Sequence, residues 1–375
     1  MIKHTGKHLH IISFDIPYPP NYGGVIDVFY KIRSLAAAGV KIHLHAFQYG
    51  RHHAKILEEL CESVNYYQRD VSKSQLFLRA PYIVVSRSSE SLIHNLLKDD
   101  HPILFEGLHS TYFLGDHRLE DRKKIVRTHN IEHEYYKNLA LAENNIFKRY
   151  YFYNESSKLE TYESILSKAT CIAAISPNDS EYFKNKYQHA VYIPAFHAHH
   201  HVNSHTGKGS YAFYHGNLAI GENDVAAQYL IQEVFKNTPA TLLIAGSKPG
   251  VNLRNAVQRR SNVTLLSDLN TKQINNLLAD AHVNVLPTFQ PTGIKLKLLS
   301  ALFNGRFALV NTPMIQNTGL ESLCTIADSP ESMREALNSL FKMEFTQMDI
   351  TFRKEVLMEN FDNRANALKL KSLIF

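Results

Sequence analysis

The sequence predicts an α/β chain of two doubly wound domains, each a parallel sheet covered by helices on both faces. Short apolar runs alternate with stretches of helical periodicity from the start of the chain. The 375 residues suit two domains at about 150 residues each. A polar segment, residues 197–207, rich in His, interrupts the alternation near the middle.

Residues 9–14 form a short apolar run with strand character, and Asp15-Ile-Pro-Tyr-Pro-Pro-Asn-Tyr-Gly-Gly24 after it holds too much proline and glycine for regular structure. Residues 25–38 carry apolar side chains at helical spacing, Gly39 ends that helix, and 40–47 is the next strand. Further strands are expected at 82–85, 103–105, 124–127 and 171–175, with a long polar-faced helix over 146–168. The first domain is placed at residues 1–196 and the linker at 197–207. In the second domain, residues 208–349, strands are expected at 211–214, 241–245, 263–265 and 283–286, and helices at 224–236 and 271–279. The tail beyond Met348 has no strand signal and ends in an Ala/Leu/Lys helix. Ligands of doubly wound sheets sit outside the carboxyl ends of the strands, so two such domains facing each other create one cleft.

With 44% hydrophobic and 20% charged residues the composition is that of a soluble globular chain. No apolar stretch reaches the roughly 18 residues that span a bilayer, and no signal peptide is seen, so a cytoplasmic protein is expected. Cys61, Cys171 and Cys324 are odd in number and far apart, and they fit no zinc spacing. The net charge of +6 suits nucleic acid, an anionic membrane surface or a phosphorylated small molecule. No RNA-binding or zinc-finger motif accompanies it, which favours phosphate over nucleic acid.

The strongest phosphate signal lies at 288–305. A strand end is followed by Gly293, then by Lys295 and Lys297 at the start of an apolar helix stopped by Asn304-Gly305. A backbone without a side chain approaches a ligand closely, and free N–H groups at a helix start favour an anion. A surface turn with two solvated lysines is the alternative. Side chains two apart point to different sides of a helix, so only one lysine is expected to bind phosphate strongly.

Pro17-Tyr-Pro-Pro-Asn-Tyr-Gly-Gly24, Arg127-Thr-His-Asn-Ile-Glu132, His215-Gly-Asn-Leu218, Ile244-Ala-Gly246, Ala281-His-Val-Asn-Val-Leu-Pro287 and Gly293-Ile-Lys-Leu-Lys-Leu-Leu299 follow one another in the order seen in GT-B glycosyltransferases. Over nearly its whole length the chain resembles the retaining family 4 enzymes. The resemblance implies the GT-B architecture, two Rossmann-like domains facing across a cleft, with the C-terminal helix, 350–375, completing the first. It implies transfer of a sugar from a nucleotide-diphospho-sugar donor, held mainly by the second domain, to an alcohol acceptor such as a growing glycan or lipid-linked saccharide. Neither a metal nor another cofactor is implied, and a peripheral contact with the inner membrane surface fits the acceptor class.

Carried over by position, the resemblance makes His129 the catalytic residue, pointing at the donor sugar. Donor contacts fall to Gly23, Gly24, Gly216, Asn217, Gly246, Thr292, Gly293, Ile294, Lys295, Lys297 and Ser300, and acceptor contacts to Tyr18, Asn21, Tyr22, Asn130 and Glu132. Simpler roles stand beside these. Gly23 and Gly24 also suit a tight turn, and Glu132 suits the first turn of a helix. His129 and His133 stand four apart but lack a third metal ligand nearby. The cluster His197, His199, His200, His201 and His205 is read as a tolerant polar loop rather than a metal site. Tyr135-Tyr136 and Tyr150–Tyr153 suit core packing more than sugar stacking.

Two departures from the family pattern concern the donor. The two glutamates the family places with seven residues between them are here Thr292 and Ser300, and its arginine and lysine after the second domain's first strand are replaced by Asn217 and the Glu222-Asn223 pair. More of the diphosphate's charge then rests on Lys295 and Lys297. Two alternatives to a transferase are a catalytically silent sugar-nucleotide- or glycan-binding partner protein and a sugar-nucleotide epimerase.

Overall fold

The computed structural model describes residues 6–143, 145–289 and 296–375. The described chain packs as two compact units, one running to Ala198 and including Phe361–Phe375, the other spanning the described residues from His199 to Asn360.

Among the described residues, the first unit holds seven strands: β1 (Lys7–Ser13), β2 (Val40–Gln48), β3 (Ser63–Gln68), β4 (Ile103–Glu106), β5 (Lys124–Thr128), β6 (Cys171–Ala174) and β7 (Ala190–Tyr192). All pair in parallel in the order β3-β2-β1-β4-β5-β6-β7. The order reverses between β1 and β4, where the loops leaving the two strands diverge and a crevice opens.

Side chains alternate across this sheet. Leu9, Ile11, Ile42 and Leu44 enter one core with Val25, Val28 and Ile32 of the helix Gly23–Ala37 and with Ala367, Leu370 and Ile374 of the helix Asn363–Ile374. Ile12, Phe47, Phe105 and Val126 enter the core on the other face with Leu92, Leu96, Leu159 and Phe183. That second face also carries histidines. His10 Nδ1 lies 2.8 Å from His45 Nε2, His10 Nε2 2.9 Å from Asp99 Oδ1, and His45 Nδ1 2.8 Å from the Tyr67 hydroxyl, which Asn95 Nδ2 meets at 2.8 Å. Beside them, His8 Nδ1 is 2.9 Å from His43 Nε2, and the His8 ring stacks 4.7 Å from that of His101.

Among the described residues, the second unit holds β8 (Ala212–His215), β9 (Leu242–Ala245), β10 (Val263–Leu266), β11 (Val283–Leu286), β12 (Phe307–Val310) and β13 (Thr325–Ile326). They too are parallel, in the order β10-β9-β8-β11-β12-β13. Helix-period segments of high amphipathicity, such as Thr271–Asp280 with its Asn270/Gln273 capping box, cover this sheet.

Several local expectations need correction. Residues Tyr82–Val85 form one helical turn rather than a strand, because Pro81 presets the entry and its carbonyl accepts from both Val84 and Val85. The expected helix at 224–236 is three pieces, Gly221–Tyr229, a wide π turn Leu230–Val234 and a 3₁₀ turn Phe235–Asn237. The helix expected to reach residue 168 turns to 3₁₀ geometry after Tyr162. His197 is 2% exposed and bonds the Phe361 carbonyl at 2.8 Å, so it is a packed residue rather than a solvated loop histidine.

Candidate functional site

In the first unit the chemistry gathers at the carboxyl ends of β1, β4 and β5. Asp27 and Lys31, one turn apart on the helix Gly23–Ala37, are both fully buried. The Lys31 ammonium donates to Asp27 Oδ2 at 2.7 Å and to Glu106 Oε2, at the end of β4, at 2.9 Å. Arg127 of β5 grips Asp27 with Nε at 3.1 Å and Nη2 at 2.9 Å, and its other hydrogens go to the Ile193 and Pro194 carbonyls. Asp27 Oδ1 also accepts from the Phe196 backbone at 2.8 Å. Burial on its own would raise the Asp27 pKa, but Arg127 and Lys31 outweigh it and hold the carboxyl well below its ordinary range. A buried charge is tolerated when paired and hydrogen-bonded, as Asp27 and Lys31 are here, while Glu106 Oε1 has no hydrogen-bond partner among the described residues.

His129 follows β5 and joins the network at its edge. Its Nε2 lies 3.2 Å from Glu106 Oε2 and 3.8 Å from Asp27 Oδ2, and its ring meets the Phe14 ring edge-on at 5.6 Å. With Nε2–H donated to a carboxylate, Nδ1 is left as the acceptor in the neutral ring. Asp27, Glu106 and His129 are close enough to hold a metal ion, yet the Lys31 ammonium already bridges the two carboxylates and supplies the counter-charge there. His133 turns away from His129 and pairs with Glu163 at 3.1 Å.

The remaining first-unit residues fall into two groups. Tyr18, Asn21 and Tyr22 line a cavity of about 930 Å³ with Arg51, which donates to the Ile16 and Pro19 carbonyls and the Asn21 side chain and pairs with Asp15 at 3.3 Å. Glu132 instead opens the helix Glu132–Ala142 as a buried residue, with Asn130 hydrogen-bonding it and His109 Nδ1 3.9 Å away. Burial pushes its pKa up to about 8, so the carboxyl is mostly protonated at neutral pH. The two glycines differ. A side chain on Gly23 would enter open space, whereas one on Gly24 would sit 2.6 Å from the Phe14 ring.

In the second unit the loops leaving β8 and β9 cross closely. A β-carbon on Gly246 would collide with the Gly216 carbonyl oxygen, and one on Gly216 would sit 2.9 Å from Asn223 Cγ. Asn217 Oδ1 accepts from Ala219 N at 3.1 Å and Ser247 Oγ at 3.2 Å, so it shapes the turn. Lys297 bonds Asn223 Oδ1 at 3.1 Å with its ammonium 5.1 Å above the Tyr214 ring. Burial, with Lys297 nearby, pushes the His215 pKa down to about 4. The Ser300 hydroxyl lies 3.1 Å from His199 Nε2, and the His199 ring stacks on Phe303. Glu222 accepts from the Thr288 hydroxyl at 2.5 Å. A cavity of about 370 Å³ opens beside these loops, lined by Leu218, Gly221, Asp224, Lys248 and Gly250. Thr292, Gly293, Ile294 and Lys295 lie outside the described residues.

The sequence reading missed Asp27, Lys31, Glu106, Arg51, Arg69 and Arg87. Asp27 and Lys31 did carry a signal, standing four apart, one helical turn, among Val25, Val28 and Ile32. The arginines are single residues in loops and show their role only when the strand ends are assembled. Tyr136 and Tyr151, read as core, line a second cavity described below, while Tyr150 is 76% exposed.

This architecture, two all-parallel α/β sheets, is the GT-B fold of glycosyltransferases. TarM superposes with a TM-score of 0.69 over 100% of both chains at 11% identity. Sucrose-phosphate synthase from Thermosynechococcus elongatus gives 0.67 over 98% of both chains at 15% identity, and Anabaena HepE, solved with UDP and glucose, gives 0.65 over 98% of both at 11%. In sequence the chain is 25% identical over 327 residues, 82% of its length and 84% of the relative's, to an uncharacterized 44.6 kDa protein in the cps region of Klebsiella pneumoniae. No family model matches. Among the described residues no helix is long and apolar enough to cross a membrane.

Proposed function

We propose that the chain is a metal-independent hexosyltransferase that moves a sugar, with retention, from a nucleotide-diphospho-sugar to an alcohol acceptor on a glycan or lipid-linked saccharide. The observation that carries this reading is His129, held on Glu106 at the carboxyl edge of the first sheet where a doubly wound fold binds ligands. An imidazole fixed there hydrogen-bonds a sugar hydroxyl or steadies charge as the phosphate leaves. Lys297, on the helix Leu296–Asn304, supplies positive charge for the diphosphate in the second unit. Two structural neighbours support a nucleotide-sugar donor by their ligands, UDP-glucose in HepE and UDP with α-GlcNAc-glycerol in a TarM variant. The cps-region relative supports a place in polysaccharide synthesis.

The test is a panel of UDP-, GDP- and ADP-sugars with and without EDTA, following nucleoside diphosphate release and glycoside formation. Metal-independent product formation that falls in His129→Ala supports the reading, and abolition by EDTA overturns its metal-free part. A silent binding protein is the second reading, favoured by the engagement of the Ser300 hydroxyl by His199 where the family has a free carboxylate. Binding of nucleotide sugar without turnover would establish it. Exposed Ile146, Phe147 and Tyr150 beside Lys148 and Arg149 support a peripheral contact with an anionic membrane, checked by flotation with anionic vesicles.

A further inference from the structure

The crevice where the β1 and β4 loops diverge contains a cavity of about 390 Å³ in the first unit. Its walls come from residues just past the strand ends: Phe14 and Asp15 after β1, Tyr49 after β2, Arg69 after β3 and His109 after β4. Tyr22, Tyr82, Tyr136 and Tyr151 supply further aromatic faces and hydroxyls, a lining suited to a sugar ring.

Two guanidinium groups set its charge. Arg87 is 5% exposed and spends Nε on the Phe14 carbonyl at 2.9 Å and Nη1 on the Ile83 carbonyl. Arg69 gives Nε to Ser86 Oγ at 2.9 Å and is held between the rings of Tyr49, 4.6 Å away, and Tyr82, 5.4 Å away. Among the described residues neither forms an ion pair with a carboxylate. Asp15, the one acid in the lining, is engaged by Arg51 at 3.3 Å, by the Tyr22 hydroxyl at 3.0 Å and by the Ile16 backbone at 2.8 Å. Burial, with Arg69 beside it, pushes the Arg87 pKa down to about 9, which leaves it charged at neutral pH. Asp15 acts on Arg87 as well as on Arg51, so one carboxylate is shared among the cations around it, and a ligand of opposite charge lowers the cost of burying Arg87. A guanidinium stacked on aromatic rings is already oriented for bidentate binding of a carboxylate or phosphate.

We propose that this cavity takes an anionic sugar, one bearing a carboxylate or a phosphate, as part of the acceptor, with Arg69 and Arg87 as the specificity-determining pair. The assignment of that sugar as acceptor rests on the glycosyltransferase reading, while anion binding at the cavity does not. The test is equilibrium binding to the full chain of glucuronate, glucose 6-phosphate and glucose at fixed ionic strength. The expected result is at least roughly ten-fold tighter binding of one or both anionic sugars than of glucose, lost in Arg69→Gln. The two anionic arms separate a uronate from a sugar phosphate. Arg87→Lys, checked for folding by its melting curve, should weaken anion binding in the same direction, and Arg69 carries the test if that variant does not fold. Equal affinity for glucose, or an Arg69→Gln protein that keeps its anion preference, would overturn the proposal. Nucleoside diphosphate binding measured in parallel separates the two claims: donor turnover onto a neutral acceptor with no anion preference defeats the anionic site alone, and anion binding without any donor binding defeats the transferase alone.

Discussion

His129 Nε2 stands 3.2 Å from the same Glu106 oxygen that receives the Lys31 ammonium at 2.9 Å. The imidazole is therefore positioned by a carboxylate whose charge is already answered, and removing the ring leaves no orphaned ion beneath it.

His129→Ala should keep its fold and its affinity for nucleoside diphosphate while kcat for transfer falls by roughly 10²-fold or more, the usual scale for a lost electrostatic or proton-transferring group. Circular dichroism, calorimetric binding and initial rates check the three parts. An unchanged kcat would return the residue to a structural role.

The adjacent glycines should separate. Gly24→Ala drives a methyl group into the Phe14 ring and should lower the melting temperature. Gly23→Ala meets nothing within 4 Å and replaces glycine in a helix, so it should stabilise the free protein, by up to about 1 kcal/mol. If the Gly23 backbone also approaches the donor diphosphate, that same variant loses donor affinity while gaining stability. Thermal melts with and without nucleoside diphosphate read both effects.

Lys297→Ala should weaken nucleoside diphosphate binding by about 1.5–3 kcal/mol and leave bare nucleoside affinity nearly unchanged. Titration calorimetry with both ligands decides it. Equal losses for the two would assign Lys297 to holding Asn223 and Tyr214 in place rather than to phosphate.

Glu132 gives a signature in pH. Its ordinary value is 4.5 and its folded value about 8, so over that window the native state keeps a proton that the unfolded chain has released. Stability contributed by the neutral carboxyl is complete below the lower value and declines as pH rises toward the upper one. Glu132→Gln should flatten this decline and melt higher than wild type at pH 8. Parallel slopes for the two proteins in melts from pH 5 to 8 would rule it out.

The fold was legible because period and punctuation agree along most of the chain. The strand–loop–helix opening, Gly39 with its φ of +79°, and the runs at β4, β5, β9 and β11 read directly from residue order. Tyr82–Val85 misled because four apolar residues have no period to measure, and only Pro81 marks the helical turn. β3 escaped notice because Ser63-Val-Asn-Tyr-Tyr-Gln68 is half polar and stands at the sheet's edge beside β2 alone. At the site, motif positions such as His129 were readable from the order of the motifs. The network around it was not, since Asp27 and Arg127 stand 100 residues apart and meet only when the sheet forms.

The histidine row on the first sheet has a polarity. Asp99 accepts from His10, which places a proton on His10 Nε2, and with that proton alone on the ring Nδ1 offers a lone pair. His45, whose pKa burial pushes well below 6.5, must answer with a proton on Nε2, so its Nδ1 takes the Tyr67 hydroxyl proton and the Tyr67 oxygen is left for Asn95. One half-exposed carboxylate thus writes the hydrogen placement of three strands in sequence. A second proton on His10 would reverse the His10–His45 and His45–Tyr67 links together, because neither can turn round alone.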